Sequence, residues 1–185
     1  QKKHQEKNNI KSVLKILQPN CKIIELDHIT EGAACTTLLA KEFINNSDPL
    51  IIANSDQYIS WNSSKALYDF NSKNLDGAIL TFEAIHPKWS YAKCNDDGFV
   101  TEVAEKKVIS KNATVGVYYW KHGSDYVQSA ENMIEKNIRV NNEFYVCPVY
   151  NEFLLKNKKV KIHNVEKMWG LGTPEDLNNF LRTIK

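Results

Sequence analysis

The sequence predicts an α/β fold: a mixed, mostly parallel central sheet with helices on both faces. Three observations lead there. Strand-like and helix-like segments alternate through the first half of the chain, the order that builds parallel sheets. Residues 49–53 (PLIIA) form a continuous apolar run, the pattern of a strand covered on both faces. Residues 95–98 (NDDG) separate two β-rich runs, so a hairpin interrupts the second half and makes the sheet mixed.

In chain order, residues 10–17 predict a first helix. Residues 22–26 (KIIEL) are short and β-rich, and predict a strand. Thr30-Glu31-Gly32 marks a turn, after which Leu38, Leu39 and Phe43 fall at helical spacing up to about Ile44. The strand 49–53 ends in Asn54-Ser55-Asp56. A helix over 62–73 has Asn62 or Ser63 as its cap, and residues 77–84 (GAILTFEA) are the next strand. Residues 91–94 and 99–103 are the hairpin arms, and 114–120 (TVGVYYW) is a further strand. Apolar residues recur at helical spacing through 124–137 and again through 144–155. A strand at 160–165 precedes a last helix, with Thr173 as cap and Pro174 in its first position. No repeat or linker breaks the pattern, so residues 1–185 read as one domain.

Composition narrows the function classes. Of 185 residues, 42% are hydrophobic and 25% charged, ordinary for a globular chain with one sizeable core. Lys plus Arg (24) nearly balances Asp plus Glu (22), and no basic stripe points to a nucleic acid. The cluster at 156–161 (KNKKVK) reads as a solvated loop. Cys21, Cys35, Cys94 and Cys147 contain no CxxC pair, which argues against zinc; three read as small apolar residues, and a reducing, cytoplasmic compartment fits them. His4, His28, His86, His122 and His163 pair with nothing at metal-ligand spacing. No apolar run approaches the roughly 20 residues that cross a bilayer, and the N-terminus has no apolar signal region. The nucleophile-elbow and P-loop sequences are missing too.

Five places could carry chemistry. Asp56 ends a strand, where open α/β sheets bind ligands, and one carboxylate there suits Mg²⁺ beside a triphosphate; capping a turn is its even-odds alternative. Gly32 and Ala33 would let backbone approach a flat ligand, though a plain helix start explains them as well. Lys106 closes a strand and could meet a phosphate as a point charge, or form a surface ion pair. Gly116 inside a β-branched strand implies a bulge or a close approach. Glu143 would favour a helix N-terminus or accept hydrogen bonds from sugar hydroxyls. The segment 168–177 (MWGLGTPEDL) reads as turn, cap and helix start.

Together these segments resemble the sugar-phosphate nucleotidyltransferases, also called nucleoside-diphosphate-sugar pyrophosphorylases. The resemblance runs in order through ITEGAACTTLLAKEFI, PLIIANSDQYI, HPKWSYAK, VTEVAEKKVISKNATVGVYYW, NNEFYVCPVYNEFL and MWGLGTPEDL. It looks closest to a bacterial subgroup of capsule and surface-polysaccharide clusters. It implies a Rossmann-like nucleotide-diphospho-sugar transferase fold and a Mg²⁺-dependent transfer from a nucleoside triphosphate to a sugar phosphate. In that reading Gly32 and Ala33 lie against the nucleobase and Asp56 holds the metal. Tyr91 and Ala92 line the sugar pocket, Glu105-Lys106 matches a Glu-Lys pair whose Lys contacts the sugar phosphate, Gly116 approaches the sugar, and Glu143 binds its hydroxyls.

Two departures qualify the resemblance. The family opens with a strand and a Gly-rich, Arg/Lys-bearing loop that grips the triphosphate; this sequence shows none, as if it began about 50 residues late for a domain of typical length. The expectation is an N-terminally incomplete domain, inactive alone, whose raw sheet edge would invite pairing, so a homo-oligomer is among the expectations. Many members also carry an Asp two residues before the final Gly-Thr, where this chain has Gly170, leaving Glu166 as one alternative ligand. Two other readings stand beside the enzyme. A nucleotide-sugar-dependent glycosyltransferase would want an acidic DxD-like turn, whereas Asn54-Ser55-Asp56 has one acid. A non-catalytic nucleotide-sugar-binding module would account for both departures.

Overall fold

The computed structural model describes residues 7–183; His4 and the other residues of 1–6, with 184–185, lie outside the described residues. Its elements are helix α1 (Ile10–Leu17), α2 (Ala33–Leu38), α3 (Lys41–Ile44), strands β1 (Leu50–Ala53) and β2 (Gln57–Ser60), and α4 (Ser63–Ser72). Strands β3 (Gly77–Glu83), β4 (Ser90–Cys94), β5 (Val100–Glu105) and β6 (Asn112–Trp120) follow, then α5 (Gly123–Glu135) and α6 (Val149–Leu154). Strands β7 (Val160–Asn164) and β8 (Lys167–Gly170) lead to α7 (Pro174–Thr183).

The main sheet has the order β5-β4-β6-β3-β7, and β1 also pairs with β6. The expected α/β class holds, and the sheet is mixed, but its pairing is not mostly parallel. Only β3–β7 is a parallel ladder among the described residues, while β1–β6, β3–β6, β4–β5 and β4–β6 are antiparallel. The reason is where β6 goes. Strands β1, β3 and β7 do run the same way, as alternation with helices suggests. Strand β6 inserts between β1 and β3, running against both.

Side-chain alternation along β3 and β6 divides the core between two faces. Ile79, Tyr118 and Trp120 face one side, where α5 and α6 supply Tyr126, Val127, Met133, Tyr150 and Phe153. Ala78, Leu80, Val117 and Tyr119 face the other, where α4 supplies Ala66 and Phe70. Trp120 stacks on Tyr150 at 4.0 Å between ring centroids, and the Tyr150 hydroxyl donates to the carbonyls of Ala78 and Tyr119. Two expected caps are present: the Asn62 side chain accepts from Lys65 N at 2.9 Å, and the Thr173 hydroxyl from Asp176 N at 3.1 Å.

Four expectations are corrected. Residues 22–26 form no strand, because no ladder partner lies beside them among the described residues. Strand β1 is half-buried rather than covered on both faces, and among the described residues one of its edges is paired. The helix expected over 144–155 starts at Val149, because Pro148 disfavours a helical Cys147 and donates no N–H. Residues 167–170 are not a turn; they pair with β2 in a two-stranded ribbon. Among the described residues no helix is long and apolar enough to cross a membrane.

Candidate active site

The site lies where β1 ends. Beyond Ala53 the backbone of Asn54 donates to Gly116 O at 2.9 Å. Opposite, the β3–β6 register jumps from Ile79↔Tyr118 to Thr81↔Thr114, so β6 bulges around Gly116. Gly116 has φ +72° and an added Cβ would sit 2.4 Å from Asn54 Nδ2. The bulge and the close approach expected of this glycine are thus one feature.

Asp56 follows in the same turn and is exposed. Its carbonyl accepts from Leu171 N at 2.7 Å, which binds the β1–β2 turn to the segment before α7. Its Oδ2 lies 2.9 Å from where a Gly172 Cβ would be, so the glycine leaves a recess beside the carboxylate. Glu166 does not share this place. Its carboxylate accepts from Ser60 Oγ at 2.9 Å, beyond the Ser60↔Lys167 end of the ribbon, while Asp56 adjoins the Gln57↔Gly170 end.

Two cavities open around this turn. The larger, about 540 Å³, is lined by Thr36, Thr37, Ile52 and Asp56 among others. The smaller, about 260 Å³, is lined by Gln57, Lys88, Trp89, Glu105, Lys106 and Tyr145 among others. Ala33, Asn54 and Val146 line both, so the cavities adjoin.

Local structure explains the shared wall. Gly32 has φ +130°, and a Cβ there would meet the Phe144 backbone at 2.5–2.9 Å. Phe144 N donates to Glu31 O at 2.8 Å, and Ala34 N to Phe144 O at 2.9 Å. The turn before α2 is therefore clamped to the segment before α6. Arg139 strengthens the clamp: its guanidinium lies 4.0 Å from the Phe144 ring centroid and pairs with Glu31. Gly32 serves this clamp and lines neither cavity, whereas Ala33 lines both.

In the smaller cavity Glu105 is half-buried and accepts from Ser90 Oγ. Burial pushes its carboxyl above the ordinary range, opposed by the Ser90 bond and by Lys106. Lys106 takes the left-handed conformation, φ 54°, and its N–H donates to Trp89 O at 3.1 Å. Its Nζ donates to Tyr145 Oη at 2.6 Å and lies 4.7 Å from that ring's centroid. The Tyr145 bond is the leading cause that holds the ammonium above its ordinary value. Glu143 lines neither cavity, but its charge reaches both Glu105 and Lys106. It begins no helix. It closes a tight turn with Asn141 and Asn142 at φ 48° and 64°, and the bonds Glu143 N to Val140 O and Val140 N to Glu143 O measure 2.9 and 3.0 Å. Two left-handed residues in succession make this a type I′ turn.

Tyr91 and Ala92 line neither cavity. Both are fully buried, and the Tyr91 hydroxyl donates to His86 O at 2.7 Å. The wall is made by the residues just before them, Lys88, Trp89 and Ser90. Trp89 stands edge-on to Phe82 at 5.3 Å, with Lys88 Nζ 4.6 Å from its ring centroid. Sequence reasoning also passed over Gln57, Asn54 and Tyr145. The first two sit beside Asp56 and the third two residues after Glu143, inside segments already singled out.

Residues 1–182 match the profile of the Nucleotidyl transferase family. The chain belongs to that family. Among solved structures, this nucleotidyl transferase family member is similar to the nucleoside-diphosphate-sugar pyrophosphorylase from Vibrio cholerae: 25% identity, TM-score 0.76, covering 94% of this chain and 75% of that one. A UDP-glucose pyrophosphorylase complexed with UDP-glucose matches at 15% identity and TM-score 0.73, over 97% of this chain and 73% of that one. A putative glucose-1-phosphate thymidylyltransferase from Bacillus anthracis, in complex with a sucrose, matches at 15% identity and TM-score 0.65, over 84% and 61%. At 15% identity the likeness concerns the fold. No curated protein matches the sequence. The expected Rossmann-like nucleotidyltransferase architecture is thus that of the structural neighbours.

Proposed function

We propose that the protein transfers a nucleotidyl group from a nucleoside triphosphate to a sugar phosphate or similar phosphorylated alcohol, releasing pyrophosphate, in the cytoplasm. The product would be an activated precursor for surface polysaccharide. The observation that carries this reading is the pair of adjoining cavities with a shared wall. One holds an exposed carboxylate, Asp56, with Ala33 in its lining; the other holds Lys106 and Glu105 beside an aromatic wall. A nucleotide and a sugar phosphate need such neighbouring pockets, so that one oxygen can attack the other ligand's phosphorus in line.

Asp56 would be one protein ligand of a divalent cation; among the described residues no group of three or more His, Cys, Asp or Glu side chains is placed to hold one. The recess beside Asp56 left by Gly172 is one that a Cβ would fill, and Mg²⁺ takes one or two carboxylates, with phosphate oxygens and waters completing its shell. Asp56 would hold it, and when bound it would neutralise charge on the triphosphate. The chain's own groups do the rest. Ala33 presents backbone to the nucleobase. Lys106, tethered by Tyr145, keeps its proton and holds the sugar phosphate as a point charge. A sugar-phosphate oxygen forms a bond to the α-phosphorus as the bond to pyrophosphate breaks. No protein nucleophile is needed, so positioning and charge neutralisation carry the rate.

The test is pyrophosphate release by the full-length protein with a panel of nucleoside triphosphates and sugar phosphates plus Mg²⁺. Turnover with one pair is expected and names both substrates. Nucleotide-sugar binding without turnover across the panel would instead favour a non-catalytic module.

A further inference from the structure

We infer that Arg139 is a positioning residue for the transfer step: acting through Phe144, it holds the walls of the two cavities in fixed relation and touches neither substrate. The inference rests on the function proposed above and deepens it.

The starting point is a side chain with four engagements outside both cavities. Arg139 lines neither the larger nor the smaller one. Its Nε donates to Asn137 Oδ1 at 2.6 Å, its Nη1 to Asn142 O at 3.1 Å, and its Nη2 to the Glu31 carboxylate. The guanidinium carbon lies over the Phe144 ring, 4.0 Å from its centroid. Asn137 and Asn142 are both in the left-handed region, φ 53° and 64°. One planar fork thus ties down two irregular points of the segment that leads from α5 to Phe144. A lysine could keep the charge beside Glu31, but a point charge reproduces neither the fork nor the stacking.

Phe144 is where this hold meets the site. Its side chain is buried, its N–H donates to Glu31 O, and its carbonyl accepts from Ala34 N. Ala33, between those two partners, lines both cavities. The residues after Phe144 are Tyr145, whose hydroxyl receives the Lys106 ammonium, and Val146, which also lines both cavities. Phe144 therefore joins the wall proposed for the nucleobase to the tether of the lysine proposed for the sugar phosphate. Residues 18–32 and 136–148 lie in no helix or strand, so no long ladder fixes one against the other. Arg139 grips both: Glu31 from the first segment and Phe144 from the second.

The consequence concerns rate more than affinity. Each ligand meets its own wall, but the sugar-phosphate oxygen must also stand in line with the α-phosphorus, and that depends on how the walls sit relative to each other. A misplacement of about 1 Å can cost about a hundredfold in rate. A loosened clamp should therefore lower kcat while each ligand still binds.

The experiment is steady-state kinetics of the full-length protein, for wild type, Arg139→Met and Arg139→Lys, with the triphosphate and sugar phosphate that wild type turns over. Melting temperatures confirm folding; the lysine variant serves if the methionine variant does not fold. In Arg139→Met, kcat is expected to fall about tenfold, with both KM values changed by less than about threefold. Arg139→Lys should lose nearly as much, because the charge alone does not restore the fork. Combining Arg139→Met with Tyr145→Phe should cost less than the product of the separate losses, since both act through one segment. An unchanged kcat in the folded variants would make Arg139 a purely structural residue and overturn the assignment. A raised KM for one substrate at unchanged kcat would overturn it too, by confining the effect to one cavity; in both cases the proposed reaction stands. Silence of wild type with every triphosphate and sugar phosphate would overturn both.

Discussion

The two cavities are walled by different parts of the fold. The smaller is cut into the interior of the main sheet, where β4, β5 and β6 pair with one another and Thr114 and Tyr118 are buried. Its charged groups are already spoken for: Glu105 by Ser90, Lys106 by Tyr145. The larger lies along β1, which is paired on one edge only among the described residues, and it is bounded by the short helix α2. Asp56, its one carboxylate, is exposed. The difference separates two tasks. On the proposed function, the sugar side is the one preorganised by the protein, with paired strands and partnered charges. The nucleotide side would then be the larger cavity, with small residues and one carboxylate for a ligand that brings its own charge.

If this division is right, the largest effect belongs to Asp56. Asp56→Asn should weaken Mg²⁺-dependent triphosphate binding on the order of a hundredfold or more, while sugar-phosphate binding changes little. Titration calorimetry with and without Mg²⁺ decides it. Unchanged affinity in the variant would remove Asp56 from the site and break the comparison at its root. Lys106→Ala should do the converse. Loss of a charged contact should raise KM for the sugar phosphate roughly ten- to hundredfold, with a smaller change for the triphosphate. Equal losses for both ligands would mean that the cavities are not separate in function.

A finer test concerns the tether. Tyr145→Phe keeps the ring under Lys106 and removes the oxygen that its Nζ reaches at 2.6 Å. Sugar-phosphate KM should rise roughly threefold to tenfold, the value of one hydrogen bond. No change would show that Lys106 is held well enough by its left-handed backbone and its bond to Trp89. Tyr145 adjoins Phe144, whose backbone is clamped to residues 31–34. An accompanying rise in triphosphate KM would therefore show that the clamp carries strain between the cavities.

The parts of this site that the sequence made legible are those where one residue type has one use. Asp56 after a strand, Lys106 at a strand's end and Gly116 within a β-branched run all line one of the two cavities. The helix caps Asn62 and Thr173 were legible for the same reason. What escaped depends on neighbours. The resemblance implied Tyr91 and Ala92 for the sugar pocket, whereas the cavity wall at this strand is made by Trp89 and Ser90; the five residues of β4 are too few for their burial pattern to be read locally. The direction of β6 relative to β1 is set by a long-range insertion that local alternation cannot encode. The ribbon β2–β8 is four residues deep on each strand, too short for a period to be read. Pro148 and the pair Asn141-Asn142 were readable punctuation: one stops a helix, the other makes a type I′ turn.

The smallest effect sharpens what preorganisation of the sugar side costs. Glu105 is raised above its ordinary value of 4.5, chiefly by burial, which outweighs the Ser90 bond and the field of Lys106. A carboxyl raised in the folded state binds its proton more tightly there than in the unfolded chain. Its contribution to stability is thus complete below the ordinary value and is lost as pH rises through the raised one. Glu105→Gln keeps the shape and removes the titration. The variant should therefore gain stability relative to wild type as pH climbs through that window, and the gap should close again in acid. Urea unfolding on either side of the window measures it. A difference independent of pH would mean that Ser90 and Lys106 fully compensate the buried charge. The smaller cavity would then be a relaxed structure rather than one that holds a charged group at some expense to the fold.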